Sequence, residues 1–238
     1  MAIQDKQISA TVRPNQKVVA ALRTVRAMGL ARHLGTAGPE LVEYFRNGSN
    51  GLHADHGYVG DTAAHWARAG MQLEAGDIET AHTRSLRDNV RVGKLTDEDG
   101  ALLDRYRGTL LESGLTGWLA QIDRYASDPT LTRINVAYGG AHVAEHVDPP
   151  DQNMIQCLIE GDTVFEFRTR AGRHIYEMKV GDIWWFNTAW PHRTHIRGTG
   201  RRLLLHTRAV LRREYLDRPE TPPTACLAPD DAIGEVRT

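Results

Sequence analysis

The sequence predicts an α+β protein in which a helical N-terminal half packs on a jelly-roll, cupin-like barrel of short antiparallel strands. Three observations predict it. Up to about residue 130 apolar residues recur at helical spacing, and from about 131 they recur every second residue. About eight short runs rich in β-branched and aromatic residues then follow within roughly 80 positions. Between those runs lie turn-forming clusters of Gly, Pro, Asp and Asn.

In chain order, "NQKVVAALRTVRAMGLARHLG" places Val18, Leu22, Val25 and Met28–Leu30 on one helical stripe, with an end expected near Gly35. A second helix is expected from Thr96, where "TDED" offers a cap and early acidic residues. It would carry Leu102, Leu103, Tyr106, Leu110 and Leu111 and resume through Trp118, Leu119 and Ile122. The intervening "RNGSNGLHADHGYVGDT" has the composition of an irregular loop, of the kind that serves as a lid. The expected strands are "TRINVAY", "AHVAEHV", "MIQCLIE", "TVFEFRT", "RHIYEMK", "DIWWFN", "HRTHIR" and "RLLLHTRAVL". The organisation expected is one catalytic domain over 1–238. Residues 1–130 form helical support and lid, 131–210 the jelly-roll core, and 211–238 an extended tail.

Charge is balanced, with 29 Lys+Arg against 30 Asp+Glu, which gives no electrostatic case for nucleic acid or an acidic membrane surface. The start has no apolar core of a signal peptide, and no apolar run reaches membrane-spanning length. Two cysteines, Cys157 and Cys226, are too few for a disulfide framework. A cytoplasmic protein is expected, with a small-molecule partner, and with monomer and homo-oligomer both open.

Histidines cluster late, and "AEHVDPP" holds His146 and Asp148 two apart at a strand end. Positions two apart on a strand share a side, about 6.6–7 Å apart, so both can converge on one ion. His192 in "TAWPHRTH" follows 44 residues after Asp148, a separation that returns a jelly-roll chain beside its earlier strand. Two histidines and one carboxylate make the facial set of non-haem Fe(II) oxygenases, which leaves coordination positions open. His195 is the alternative third ligand; three residues from His192, it should face the other way. His142 reads as a supporting group, and sharing the side of His146 depends on whether the strand is bulged. The second His-x-Asp, at His53 and Asp55, lies in a loop and reads as loop structure.

An iron oxygenase needs electrons, which in the commonest such class come from 2-oxoglutarate, with O2 as the other co-substrate. Its distal carboxylate calls for a buried cation, and arginine's planar fork suits it. Arg202 lies ten residues after His192 at the start of the apolar strand "RLLLHTRAV". Buried there without an anion it would be costly.

"HVD", then "GDIWWFNTAWPH", then "RLLLH" resembles the aspartyl/asparaginyl β-hydroxylase-type family, which includes cis-proline hydroxylases. The likeness spans roughly residues 131–210. It implies a double-stranded β-helix, Fe(II) held by His146, Asp148 and His192, and 2-oxoglutarate held by Arg202. Where such proteins often carry a histidine or arginine on the next strand, this chain has "NMIQCLIE", in which Gln156 can donate to the 1-carboxylate. The implied activity is hydroxylation of an unactivated C–H bond in an amino acid, or in a side chain within a peptide, with release of succinate and CO2. Substrate contacts are expected from Asn187, Trp190, His206 and Arg208, with Trp184 and Trp185 on opposite faces of their strand. An anionic substrate would suit Arg208, which shares a strand face with Arg202 and His206. The alternatives are a metal-dependent cupin enzyme that does not use 2-oxoglutarate and a non-catalytic jelly-roll binding module.

Overall fold

The computed structural model describes residues 16–52, 56–57, 90–138, 142–148 and 154–228; at 16–19, 51, 56–57, 90–91, 142–144 and 146 it describes the backbone. Helix α1 spans Gln16–Arg26 and gives way to a turn in which Gly29 takes φ 90°. The helix expected to reach Gly35 therefore stops short, and Ala31–Thr36 is strand β1 instead. Its backbone pairs along strand β10, Asp182–Phe186, so a sheet edge outcompetes the helical stripe. Helix α2, Pro39–Gly48, has Pro at its first turn and buries Leu41, Val42 and Phe45.

Short strands β2 (His56–Gly57) and β3 (Val90–Lys94) follow. The helix expected from Thr96 begins at Leu110 and is α3, Leu110–Ile122. The "TDED" stretch is a turn: the Asp97 carboxylate accepts from the backbone N–H groups of Asp99 and Ala101, and Gly100 sits at φ 89°. An Asp that can bond its own downstream backbone supports a turn as readily as a helix cap.

The remaining strands are β4 (Ala126–Ser127), β5 (Thr132–Tyr138), β6 (His142–His146), β7 (Met154–Glu160), β8 (Thr163–Thr169), β9 (Gly172–Met178), β11 (His192–Ile196) and β12 (Arg201–Arg208). Strands β5, β7, β10 and β12 lie in a larger sheet of order β1-β10-β7-β12-β5-β3-β2. In the smaller sheet, strand β14 (Ala225–Leu227) leads the order β14-β9-β8-β11-β6. Alternation of β5–β12 between two antiparallel sheets makes a double-stranded β-helix. The described part of the N-terminal half also adds β1, β2 and β3 to the larger sheet, beyond the helices expected there.

The larger sheet is buried on both faces. Leu203, Leu205, Ile155, Ile134 and Trp185 pack toward α2 and α3 with Phe45 and Trp118, whose indole N–H donates to Thr207 Oγ1 at 2.7 Å. Leu204, Leu158, Trp184 and Phe186 face the smaller sheet's Phe165, Phe167 and Tyr176. The tail is more than an extended strand. Val210–Leu211 (β13) pairs with β4, Arg213–Leu216 forms the short helix α4, and β14 pairs with β9. Among the described residues no helix is long and apolar enough to cross a membrane.

Candidate metal centre and anion anchor

Strand β6 ends at His146, and two residues later the Asp148 N–H donates to Thr188 O at 2.9 Å. This bond fixes the end of β6 against the loop that leads from β10 into β11. At the start of β11, His192 stands directly opposite His146 in the antiparallel ladder. Directly opposed positions share a face of a sheet.

The imidazole of His192 is 3% exposed and stacks on Phe165 at 5.2 Å between centroids. Its Nδ1 lies 2.9 Å from Trp190 O, to which it donates as Nδ1–H, leaving the Nε2 lone pair directed elsewhere. Nε2 lies 3.8 Å from Asp148 Oδ2, beyond hydrogen-bond reach. A buried imidazole nitrogen and a buried carboxylate oxygen at that separation, with the far side of the ring held by a carbonyl, fit a divalent cation. The residues that would hold it are Asp148, His192 and, from its ladder position, His146. Among the described side chains no cluster of three or more His, Cys, Asp or Glu is assembled.

The register of β6 on β11 shifts between His192 and Thr194, so His142 falls opposite His195. This is the bulge that the sequence left open, and it parts the positions of His142 and His146 onto different faces. The alternative ligand His195 is turned away from Asp148: its Nε2 lies 3.5 Å from Glu166 Oε2 on the outer face of the smaller sheet. Glu166 is also bonded by Arg173 and Arg193. Burial alone would raise its carboxyl, but hydrogen bonds from His195, Arg193 and Arg173 hold it down at about 2. His53 and Asp55 lie outside the described residues. Of the irregular loop expected over 46–62, Arg46–Gly48 instead ends α2 and Ser49–Gly51 is a 3-10 turn, while 53–55 and 58–62 lie outside the described residues.

Arg202 is 1% exposed and faces the interior between the sheets. Its Nη1 donates to Thr163 Oγ1 at 3.4 Å, and its Nε has no hydrogen-bond partner among the described residues. No described carboxylate forms an ion pair with it, and burial lowers its pKa to about 10. The same inward face of β12 carries Leu204, His206 and Arg208. His206 stands opposite Gln156 on β7, whose Oε1 is unpartnered among the described residues. Arg208 lies 3.8 Å from Glu98.

Two of the expected substrate contacts are placed elsewhere. Asn187 Nδ2 donates to the carbonyls of Val25 and Gly29, closing the C-terminal end of α1, and Trp190 Nε1 donates to Arg26 O. Trp184 faces the smaller sheet, while Trp185 lies in the other layer beside the Arg32 guanidinium. Nothing in the stretch around Thr163 marks it in advance as a neighbour of Arg202. Arg133 and Asn135 alternate with Ile134 and Val136, which reads as a half-exposed strand. The structure covers both faces of β5 and turns that polar row inward.

No family model matches the chain, and no curated protein sequence does. Solved structures with similar strand arrangements include a 2OG-Fe(II) oxygenase family oxidoreductase from Burkholderia pseudomallei. It has 11% identity, with 84% of this chain and 95% of that one covered, and a TM-score of 0.47. A Pseudomonas putida prolyl-4-hydroxylase has 12% identity, 82% and 99% coverage, and a TM-score of 0.41. A vicilin from Corylus avellana has 13% identity, 54% and 29% coverage, and a TM-score of 0.34. The double-stranded β-helix rests on the strand order of the two sheets.

Proposed function

We propose that the protein is an Fe(II)/2-oxoglutarate-dependent dioxygenase that hydroxylates an unactivated C–H bond of a small amino-acid-like substrate. The observation that carries the reading is Arg202, a guanidinium buried in the barrel with no described carboxylate beside it. Such a group is costly unless an anion joins it. Arg202 bonds Thr163 and His192 stacks on Phe165, both on β8 of the smaller sheet.

Asp148, His192 and His146 would hold the metal, and Arg202, supported by Thr163, would hold the distal carboxylate of 2-oxoglutarate. When bound, the metal and 2-oxoglutarate supply the oxidation by O2, in which one oxygen atom enters the C–H bond and the other enters succinate as CO2 leaves. The chain's part is placement. The Trp190 carbonyl holds the His192 ring by its Nδ1–H, and the Phe165–Phe167–Phe186 wall keeps water from the interior.

Anaerobic addition of Fe(II) and 2-oxoglutarate to the metal-free protein tests this. The expected result is a weak visible charge-transfer band, together with 2-oxoglutarate-dependent succinate formation in air. His192→Ala is expected to abolish both in a folded chain, while His195→Ala retains them. Absence of the band at saturating co-substrate overturns the reading in favour of a cupin enzyme of another kind.

A further inference from the structure

We infer that the inward face of the larger sheet carries a second anion site, separate from Arg202, in which Arg133, His206, Gln156 and Asn135 bind a small carboxylate that also bears a hydrogen-bond donor. This deepens the oxygenase reading by naming the substrate's chemistry, and it rests on that reading for the fate of the ligand, though not for its binding.

The ladder aligns the site. Arg133 on β5, His206 on β12 and Gln156 on β7 are directly opposed in successive pairs, and Asn135 stands opposite Leu204 one step inward. His206 and Asn135 are each 6% exposed and Gln156 is 1% exposed. Both imidazole nitrogens of His206, Gln156 Oε1 and Asn135 Oδ1 have no hydrogen-bond partner among the described residues. Buried polar atoms are ordinarily satisfied, so a cluster of four orphans on one face marks a place where a ligand completes them.

The chemistry of that ligand follows from the groups. Arg133 is half-buried, its hydrogen-bond contact being Met154 Sδ at 3.3 Å, and no described carboxylate pairs with it. It calls for an anion. The amide oxygens of Gln156 and Asn135 and a neutral imidazole nitrogen call for a donor, such as an ammonium or hydroxyl. His206 is held neutral by burial, then by the nearby Arg133 and Arg202, which marks the pocket as electropositive.

The position separates this site from the co-substrate anchor. His206 lies four residues beyond Arg202 along β12, about 13 Å at the backbone. Arg202 bonds Thr163, which pairs with Ile196 at the far end of β11 from His192. The His206 row therefore lies toward the His192 end of the barrel, where a reacting C–H must sit.

The test uses the full chain without iron or 2-oxoglutarate. The ring signals of His206 are observed by NMR with 15N-labelled histidine and assigned by their loss in His206→Gln. The probes are the proteinogenic amino acids and short 2-hydroxy acids, each set against its neutral amide. At least one acid is expected to move the His206 signals while its amide does not. Arg133→Gln is expected to weaken that acid by about tenfold or more, since a charged hydrogen bond is lost. Arg133→Lys, which keeps the charge without the fork, is expected to fall between, and Arg202→Ala to stay within about twofold of the parent. No response to any acid, equal binding of the amides, or loss on Arg202→Ala instead of on the Arg133 variants each overturns the site. Acid binding without the anaerobic visible band would leave this site and remove the oxygenase reading; the band without acid binding would do the reverse.

Discussion

Arg202 shows at the level of one residue how binding capacity and stability pull apart. A guanidinium 1% exposed, with Thr163 Oγ1 at 3.4 Å as its described hydrogen-bond partner, has lost its hydration without gaining an anion. Arg202→Met keeps much of the volume and removes the buried charge. It is expected to raise unfolding stability by about 1–3 kcal/mol in denaturant titration while abolishing 2-oxoglutarate binding. A variant both weaker in fold and intact in binding would contradict the assignment. His206 gives a pH signature of its own. Burial, and then Arg133 and Arg202, hold its imidazole well below the ordinary 6.5. Unfolding restores the ordinary value, so below about pH 6.5 the unfolded chain takes up a proton that the folded chain refuses. Stability should therefore fall as pH falls from 7 toward 5.5, at up to about 1.4 kcal/mol per pH unit from this group. The difference from His206→Gln, measured by urea midpoints, isolates that contribution.

At the scale of the element, the strands decide where these residues meet, and a tight connection sets their register. Gly161 joins β7 to β8 at φ 90°, and a Cβ there would lie 2.7 Å from the Arg201 carbonyl oxygen. Gly161→Ala is expected to lower stability by about 1–3 kcal/mol by thermal melting, from the positive φ and the backbone clash together. Much of this level was legible in the chain. The period-two runs from Thr132 onward correspond to strands within a residue or two, because branched and aromatic residues alternate there with few breaks; the exception is the last run, expected to continue to Leu211, which breaks after Arg208 into β12 and β13. That pattern also carried His192 and Arg202 onto successive strands, which the fold assigns to opposite sheets. Strand β1 was not legible, since Leu30, Ala31 and Leu34 satisfy a helical stripe as well as a strand, and pairing with β10 decides the matter. The Thr96 region misled for a related reason: Asp97 is a cap or a turn according to which backbone N–H groups come within its reach. Arg133 went unread because alternation alone does not tell a solvated face from one covered by a second sheet.

In the molecule as a whole, two sheets face each other across an aromatic wall, with Asp148 and His192 contributed from the smaller and Arg202 from the larger. No local stretch of sequence contains that arrangement; it exists when both sheets hold their spacing. The C-terminal segment bears on this spacing. The Thr221 N–H donates to Ala31 O at the edge of the larger sheet, the Thr224 N–H donates to Ile175 O on the smaller, and β14 then continues along β9. One stretch of chain thus buckles the rims of both sheets together at one side. Chain termination before Thr221 is expected to lower the melting temperature and speed hydrogen exchange in β1 and β9 alike, whereas loss confined to β9 would refute the buckle. A stop codon or a nick at this remote segment would then loosen the proposed metal pocket without touching Asp148 or His192, so inactive fragments ending here would owe their silence to a slackened frame rather than to missing chemistry.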